Sequence, residues 1–189
     1  MGNSKQNYIL GCASGANVIF SNNIGTSFKA GSTPAPCVDE NVNQTVTNHE
    51  YGLTGGKYIA IKLRTGSALI GFKMSTVQFA MKTNNSGGTI YCRRWNSSVE
   101  VQTNYWNVDV SSIGSTVAYY GNGITTDDES ATQEGDYIGV ELQTSGSDLI
   151  DVKAEDSDVY DGTKTCLDDN GSIVTDRDMT FKLTGCPNQ

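Results

Sequence analysis

The acidic side chains of the C-terminal third are the residues best suited to chemistry, because acids are denser there than elsewhere in the chain. Calcium is bound by about six to eight oxygen atoms from carboxylates, amides and backbone carbonyls. Expected loop positions around the last hairpin supply candidate ligands, namely Asp156, Asp158, Asp161, Asp168 and Asp169. Their spacing is not that of an EF-hand, since no glutamate stands where a bidentate ligand is needed. The cluster predicts either a calcium site, with calcium as the cofactor, or a solvated acidic surface.

Aromatic side chains in the middle of the chain form a second candidate site. Exposed Trp and Tyr rings can stack on the apolar C–H faces of sugars. We expect most of these rings to fill the core, since alternation along a strand turns half of its side chains inward. Trp95 and Trp106 are the two that we expect to be exposed and to bind glycans.

Catalytic motifs give no support for an enzyme. The single histidine, His49, falls in a turn-rich stretch, and the chain contains no G-x-S-x-G, H-E-x-x-H or phosphate-loop motif. Two carboxylates can hydrolyse a glycoside. The chain has 21 acidic residues, however, and nothing in the sequence distinguishes one pair of them as catalytic. We therefore expect a non-catalytic protein.

The five cysteines are widely spaced and form no C-x-x-C pair, which argues against a zinc site. Two disulfides with one cysteine left over is the plain interpretation in an oxidising compartment. We expect Cys12–Cys37 to close the N-terminal segment and Cys166–Cys186 to link the last hairpin, with Cys92 as a buried thiol. Five reduced thiols are the alternative.

Charge and composition restrict the partners of the chain. A net charge of −8 and a pI of about 4.5 argue against nucleic acid, whose phosphates need a basic surface. No apolar run approaches the ~20 residues that span a bilayer. The N-terminal residues lack the apolar segment of a signal peptide, so we expect either a removed leader or export without one, as in a virion assembled inside its host.

Four N-x-[ST] sequons fall in expected turns, at Asn43, Asn84, Asn96 and Asn170. In an exported protein such asparagines are glycan acceptors on the surface. We expect the protein to work outside the cell, on a cell surface or in a virion.

Alternating apolar residues predict an all-β chain. Strands recur at 8–12-residue spacing with turn-forming residues between them, which is typical of an antiparallel β-sandwich or jelly roll. Helical spacing of apolar residues is absent. The apolar phase changes from even to odd positions near Ser75, which predicts a β-bulge or a change of strand.

Residues 1–50 differ from the rest of the chain, because they are poor in charge and rich in Asn, Ser, Thr and Gly. Such a segment has too little apolar surface to build a core of its own. We expect it to be an arm that adds edge strands to its own sandwich or to the open edge of a neighbour. Residues 51–189 are expected to form the jelly-roll sandwich.

Two short motifs stand out, GDYIG at 135–139 and DVYDGT at 158–163. With them, residues 53–183 resemble a β-sandwich module that recurs in archaeal surface proteins, archaeal viruses and phage tail or fibre proteins. The resemblance implies an outward-facing, non-catalytic, jelly-roll-like module, and it carries over no ligand or catalytic residue. The N-terminal arm and the five cysteines are not features of that module.

Two functions are consistent with these residues. The first is a structural subunit that self-assembles as a homopolymer into a fibre, tube or virion appendage, as the arm and the missing catalytic motifs suggest. The second is a carbohydrate-binding or adhesion module, for which the aromatic rings and acidic loops argue.

Overall fold

Two antiparallel β-sheets dominate the architecture. The computed structural model describes residues 19–21, 27–29, 35–42, 49–83, 87–121, 124, 130–144, 149–155, 164–168 and 178–187. The chain divides into two compact units, Met1–Pro34 and Ala35–Gln189. The smaller unit contains a two-stranded hairpin, and the larger unit is an antiparallel β-sandwich, which confirms the expected fold class. Within the described residues, no helix has the length and apolar character needed to cross a membrane.

The strands, in chain order, are β1 (Ile19–Ser21), β2 (Ser27–Lys29), β3 (Val38–Val42), β4 (His49–Thr54), β5 (Tyr58–Leu63), β6 (Lys73–Lys82), β7 (Thr89–Trp95), β8 (Val101–Asp109), β9 (Ala118–Tyr120), β10 (Tyr137–Gln143), β11 (Leu149–Glu155), β12 (Lys164–Asp168), β13 (Asp178–Met179) and β14 (Phe181–Cys186). A 3₁₀ turn at Val110–Ser112 follows β8.

The five-stranded sheet has the order β12-β5-β10-β7-β8, with β10 at its centre. Gly139 of β10 lies between Ala60 of β5 and Arg93 of β7 in the register. A Cβ atom on Gly139 would lie 2.1 Å from the carbonyl oxygen of Ile59. The two strands therefore pair closely at this level only because the residue is glycine. The inward residues of β10 are fully buried, as their alternation predicts: Ile138, Val140 and Leu142.

The second sheet has the order β13-β11-β6-β14-β3, with β4 paired to β11 and β9 paired to β6. Thr184 of β14 pairs with Thr76 of β6, whereas the next residue, Gly185, pairs with Met74. Ser75 is therefore an extra residue in β6, and the predicted β-bulge is confirmed. The bulge restores the inward direction of the apolar side chains on both sides of Ser75, since one extra residue exchanges the two faces.

The core lies between the inner faces of the two sheets. The Phe79 and Phe181 rings meet edge to face at 6.4 Å between centroids. Burying each large apolar side chain contributes roughly 1.5–3 kcal/mol, and this term favours the sandwich over the open sheets. Fully buried core residues include Ile59, Ile61, Leu63, Val77, Phe79, Met81, Ile138, Phe181 and Leu183.

Part of residues 1–50 belongs to the larger unit. The compact units divide between Pro34 and Ala35, whereas the expected division into an arm and a jelly roll at residue 50 stays a prediction. Strand pairing explains where the units divide, because β3 forms a ladder with β14 and β4 forms a ladder with β11.

One disulfide closes the sandwich, and it joins Cys37 to Cys186. The expected pairings of these two cysteines, Cys12–Cys37 and Cys166–Cys186, are therefore wrong. Val38 pairs with Gly185 in the antiparallel β3–β14 ladder, which brings the two flanking cysteines to a Cα–Cα distance of 4.2 Å.

Of the remaining three cysteines, Cys92 is the one whose side chain the structure describes. Cys92 is a buried free thiol, as expected, and burial raises its pKa well above the ordinary value. Cys12 and the side chain of Cys166 lie outside the described residues.

Replacing both bonded cysteines by serine (Cys37→Ser with Cys186→Ser) should destabilise the protein by about 5 kcal/mol. The bond spans a sequence separation of 149 residues, and the chain-entropy model assigns about 5 kcal/mol to a closed loop of that length. Chemical denaturation of the oxidised protein and the double variant measures the difference.

Reduction of the wild-type protein serves as the control. Reductant should bring its unfolding midpoint close to that of the double variant, and it should leave the variant unchanged. A double variant as stable as the oxidised protein would contradict the proposed bond.

Candidate functional site

The expected calcium ligands are mostly outside the described residues. Asp156, Asp158, Asp161 and Asp169 fall there, and only the backbone of Asp168, the last residue of β12, is described. In the described part of the chain, no group of three or more His, Cys, Asp or Glu side chains is placed to hold a metal ion. Calcium binding stays a prediction.

Trp95 is buried, with an exposed fraction of 3%, so the expectation that it is exposed is wrong. It lies on the outer face of the five-stranded sheet and packs with Tyr58, Ala60 and Tyr137. The Trp95 and Tyr58 ring centroids are 5.2 Å apart, although their strands flank β10 on opposite sides. The rings can meet across β10 because its middle outward residue, Gly139, has no side chain.

Trp106 connects the two sheets. Its indole Nε1–H donates to the carbonyl oxygen of Val77 at 2.7 Å, so β8 of one sheet is tied to β6 of the other. The ring is half-buried and approaches Gly121 so closely that a Cβ there would lie 2.6 Å from Nε1. The side chain therefore has a structural role that accounts for its presence, and its binding to glycans stays a prediction.

Asn96 is the one sequon asparagine among the described residues, since Asn43, Asn84 and Asn170 lie outside them. Its side-chain oxygen accepts from the backbone N–H groups of Ser98 and Glu100, at 2.9 and 3.0 Å. Its amide nitrogen donates to the Glu100 carboxylate at 2.8 Å. The side chain builds the turn between β7 and β8, and its glycosylation stays a prediction.

Three turns lie together at one end of the five-stranded sheet, and we call residues 64–67, 96–100 and 130–136 the loop end. The Gly135 N–H donates to the Leu63 carbonyl at 2.8 Å, which joins the third turn to the end of β5. A Cβ on Gly135 would lie 3.2 Å from the Cβ of Ser97, which places the second turn beside them. Gly135 has a φ of 88°, a left-handed conformation that glycine adopts without strain.

Buried hydrogen bonds fix the third turn. The Thr132 hydroxyl donates to the carbonyl oxygens of Leu69 and Phe72, and the Thr132 N–H donates to the Phe72 oxygen at 2.9 Å. The Asp136 carboxylate accepts from the Gln133 N–H at 2.9 Å. These bonds hold residues 130–136 in one conformation, so a site built on them is preorganised.

A buried arginine lies beneath the same turn. Arg94 is 2% exposed, and its guanidinium donates to the carbonyl and hydroxyl oxygens of Ser130. Its Nε lies 3.7 Å from the carboxylate of Asp136. Burial raises the pKa of Asp136, while the Gln133 hydrogen bond and the Arg94 charge oppose that rise.

The loop end contains a pocket of about 510 Å³. It is lined by Lys62, Leu63, Arg64, Thr65, Glu134 and Gly135. The Thr65 hydroxyl donates to the Glu134 carboxylate, and the Lys62 ammonium lies 5.0 Å from the centroid of the Tyr137 ring. Cations, a carboxylate and a hydroxyl can bind a polar ligand by charge and hydrogen bonds.

The tip of the β7–β8 hairpin is strained. Val99 has a φ of 64°, in the left-handed region that a β-branched residue rarely adopts, and it is 44% exposed. Its N–H donates to the Asn96 carbonyl at 2.9 Å, which closes the turn. Strained backbone conformations cluster at functional sites, so the hairpin tip is a candidate contact site.

Sequence reasoning missed the residues of the loop end. The pocket-lining residues Lys62, Arg64 and Glu134 follow no motif, and only the fold brings them together. Arg94 did carry a signal, because it alternates in phase with Ile90 and Cys92 and so places a charge on the inner face of its strand.

Replacing Arg94 by methionine removes a cation that lowers the pKa of Asp136, so we expect that pKa to rise further. With a raised pKa, the carboxyl contributes stability below its ordinary value of 3.8 and loses that contribution as pH rises through the folded-state pKa. The variant should therefore lose more stability at pH 7 than at pH 3, which chemical denaturation at both pH values measures.

Arg93→Met is the matched control, because Arg93 is the next residue on β7 and faces the other way, toward Glu141 and Asn104. It should leave the Asp136 pKa, followed by NMR titration, unchanged. An equal loss of stability at both pH values in Arg94→Met would contradict the role assigned to this pair.

Comparison with known proteins does not identify the site. No family model matches the chain, and no match was found among curated proteins or solved structures. The resemblance to surface and virus modules stays a prediction, and the function rests on the geometry of the sandwich itself.

Proposed function

We propose that this protein is a non-catalytic structural subunit that works outside the cell, on a cell surface or in a virion, and self-assembles into a fibre, tube or appendage. The Cys37–Cys186 disulfide carries the proposal. It joins the residue before β3 to the last residue of β14, and so it brackets the whole sandwich. Disulfides persist in oxidising compartments, which supports an exported location.

The position of the bond suits a protein under tension. Force applied along the chain reaches the sandwich at Cys37 and leaves it at Cys186. Because these residues are bonded to each other, the tension passes through the sulfur atoms and the sheets between them carry none. A subunit of a fibre gains from this arrangement, since pulling does not unfold it.

The β8 edge supplies a surface for association. Among the described strands, β8 pairs with β7 alone and so forms one edge of the five-stranded sheet. An extended segment of a second copy can add to such an edge. Two register shifts between β7 and β8 bend the edge and restrict pairing to a segment of matching curvature. The hairpin also exposes two valines, Val99 at 44% and Val101 at 46%.

A carbohydrate-binding or adhesion module is the second candidate, and the pocket at the loop end favours it. The two rings first expected to bind sugars are held in packing contacts, Trp95 on the outer face of the five-stranded sheet and Trp106 between the two sheets. A sugar would instead contact the charged walls of the pocket.

Pulling on the two ends of the full chain tests whether the Cys37–Cys186 disulfide protects the sandwich from force. With the disulfide intact, force should extend only residues outside 37–186. Reduction should add about 500 Å of length, since 149 residues separate the cysteines and each extended residue spans roughly 3.3–3.6 Å. Single-molecule force spectroscopy measures the step, and the same extension with and without reductant would refute the mechanical role.

Negative-stain electron microscopy tests assembly, and the oxidised full-length protein should form ordered filaments or tubes. The double variant Val99→Asn with Val101→Gln should remain dispersed, because it removes the apolar contacts of the hairpin. Asparagine accepts a positive φ more readily than valine, so the variant should fold at least as well as the wild type.

Val117→Gln is the control, since Val117 is an exposed valine, at 36%, outside the β7–β8 hairpin. It should assemble normally. Dispersed wild-type particles at every concentration tested would contradict self-assembly. The carbohydrate-binding module would then be the favoured function.

A further inference from the structure

The Cys37–Cys186 disulfide lies at the surface of the sandwich. Cys37 is exposed and Cys186 is half-buried, so a small reagent can reach the bond from the side of Cys37. Exposed disulfides are more labile toward thiols than the buried structural disulfides of secreted proteins. Thiol–disulfide exchange at this bond is therefore accessible in the folded protein.

A hydroxyl group lies beside the half-buried sulfur. The Ser75 Oγ is 3.4 Å from the Cys186 Sγ, and its hydroxyl donates to the carbonyl oxygen of Thr184 at 3.2 Å. Ser75 is the extra residue of the β6 bulge, and bulges re-aim side chains toward sites where they act. A hydroxyl rotates to suit its partner. When the S–S bond breaks, the Ser75 hydroxyl can turn and donate to a thiolate on Cys186, and a charge-assisted hydrogen bond stabilises that leaving group.

Cys92 does not take part in this chemistry. Among the described cysteines it is the free thiol, and it is buried inside the sandwich. Burial raises its pKa well above the ordinary value, so the thiol stays protonated. Because the thiolate is the reactive form of cysteine, Cys92 is inert and serves as an internal reference for labelling.

The bond fastens one edge strand to the sheet. Among the described strands, β3 pairs with β14 alone. The five residues of β3 form one ladder, and the Thr184 hydroxyl donates to the Asp39 carboxylate at 2.7 Å. β14 is also paired with β6 through residues 181–186, so it keeps a neighbour when β3 leaves. A short strand at an edge is a part of a sheet that can open without global unfolding.

We propose that the Cys37–Cys186 disulfide is a thiol-exchange site that controls the attachment of β3. The thiolate of a low-molecular-weight thiol attacks the Cys37 sulfur and forms a mixed disulfide, while the electron pair of the broken S–S bond leaves on Cys186 as a thiolate that Ser75 stabilises. A second thiolate attacks the sulfur of the bound thiol and releases Cys37. Two thiols are oxidised to one disulfide for each protein disulfide reduced, and β3 loses its covalent link to β14.

Reaction of the native, oxidised full-length protein with reduced glutathione tests the site. The rate should be proportional to the glutathione concentration, and low, non-denaturing urea should leave it unchanged because the bond is reached without unfolding. An alkylating quench followed by mass spectrometry should find glutathione on Cys37, the alkyl group on Cys186 and neither on Cys92. Glutathione on Cys186, or reduction only in denaturant, would overturn the proposal.

Ser75→Ala should slow the reaction with glutathione roughly three- to tenfold, because the leaving thiolate loses a charge-assisted hydrogen bond. Thr76→Val is the matched control, since it removes a hydroxyl from the next residue of β6, and it should react at the wild-type rate. Equal rates in Ser75→Ala and the wild type would contradict the role of Ser75. If Ser75→Ala fails to fold, the position of the mixed disulfide in the wild-type protein tests the direction of attack by itself.

Hydrogen–deuterium exchange tests the consequence for β3. Reduction should speed the exchange of residues 38–42 by about tenfold or more, as expected for local opening, whereas residues 77–82 of β6 should keep their protection. The Cys37→Ser with Cys186→Ser variant should match the reduced protein with or without glutathione. Unchanged protection of β3, or an equal loss of protection in β6, would contradict control of β3 by the bond.

The exchange site uses the same disulfide as the structural proposal but does not depend on assembly, and microscopy of the same preparations separates the two. Filaments of a protein whose disulfide resists glutathione in the native state reject the exchange site alone. Exchange at Cys37 in a protein that forms no filaments rejects assembly alone.

Discussion

The close approach of β5 and β10 at Gly139 is the constraint on which the five-stranded sheet depends. A Cβ atom at this position would lie 2.1 Å from the Ile59 oxygen and 2.5 Å from the Ala60 Cα, so any side chain would push the two strands apart. The missing side chain also opens a space on the outer face, across which Tyr58 and Trp95 meet. The turn that leads into β10 forms one wall of the pocket, so the packing of the central strand and the geometry of the loop end are linked.

Charged groups are placed in this sandwich where the fold supplies their partners. Lys153 is only 5% exposed, and its ammonium contacts the carboxylate of Glu50, which also binds Lys82 at 2.8 Å. Hydrogen bonds from Lys153 and Lys82 lower the pKa of Glu50 to about 2. Asp151 lies close enough to interact electrostatically with Glu50 and both lysines, so the cluster contains two cations and two carboxylates.

The two proposed functions use separate parts of the molecule and are compatible. The proposed assembly would use the Cys37–Cys186 disulfide and the β8 edge, whereas the proposed sugar binding would use the ends of β5 and β10. A subunit with both functions would combine a mechanical role with adhesion. Ser97, in the same turn as the strained Val99, lies beside Gly135, so the hairpin turn and the pocket belong to the same end of the sandwich.

The sequence by itself determined the strands and their inner faces, because the alternation of side chains is a local property of an extended chain. It also located the bulge at Ser75, since an added residue reverses that alternation. Only the tertiary structure decided which strands lie side by side. The Cys37–Cys186 bond requires β3 to pair with β14, and the burial of Trp95 requires a glycine on the neighbouring strand. The pocket likewise joins residues 62–65 to residues 134–135. Contacts between segments distant in sequence depend on the packing free energy of the whole sandwich, which no local pattern encodes.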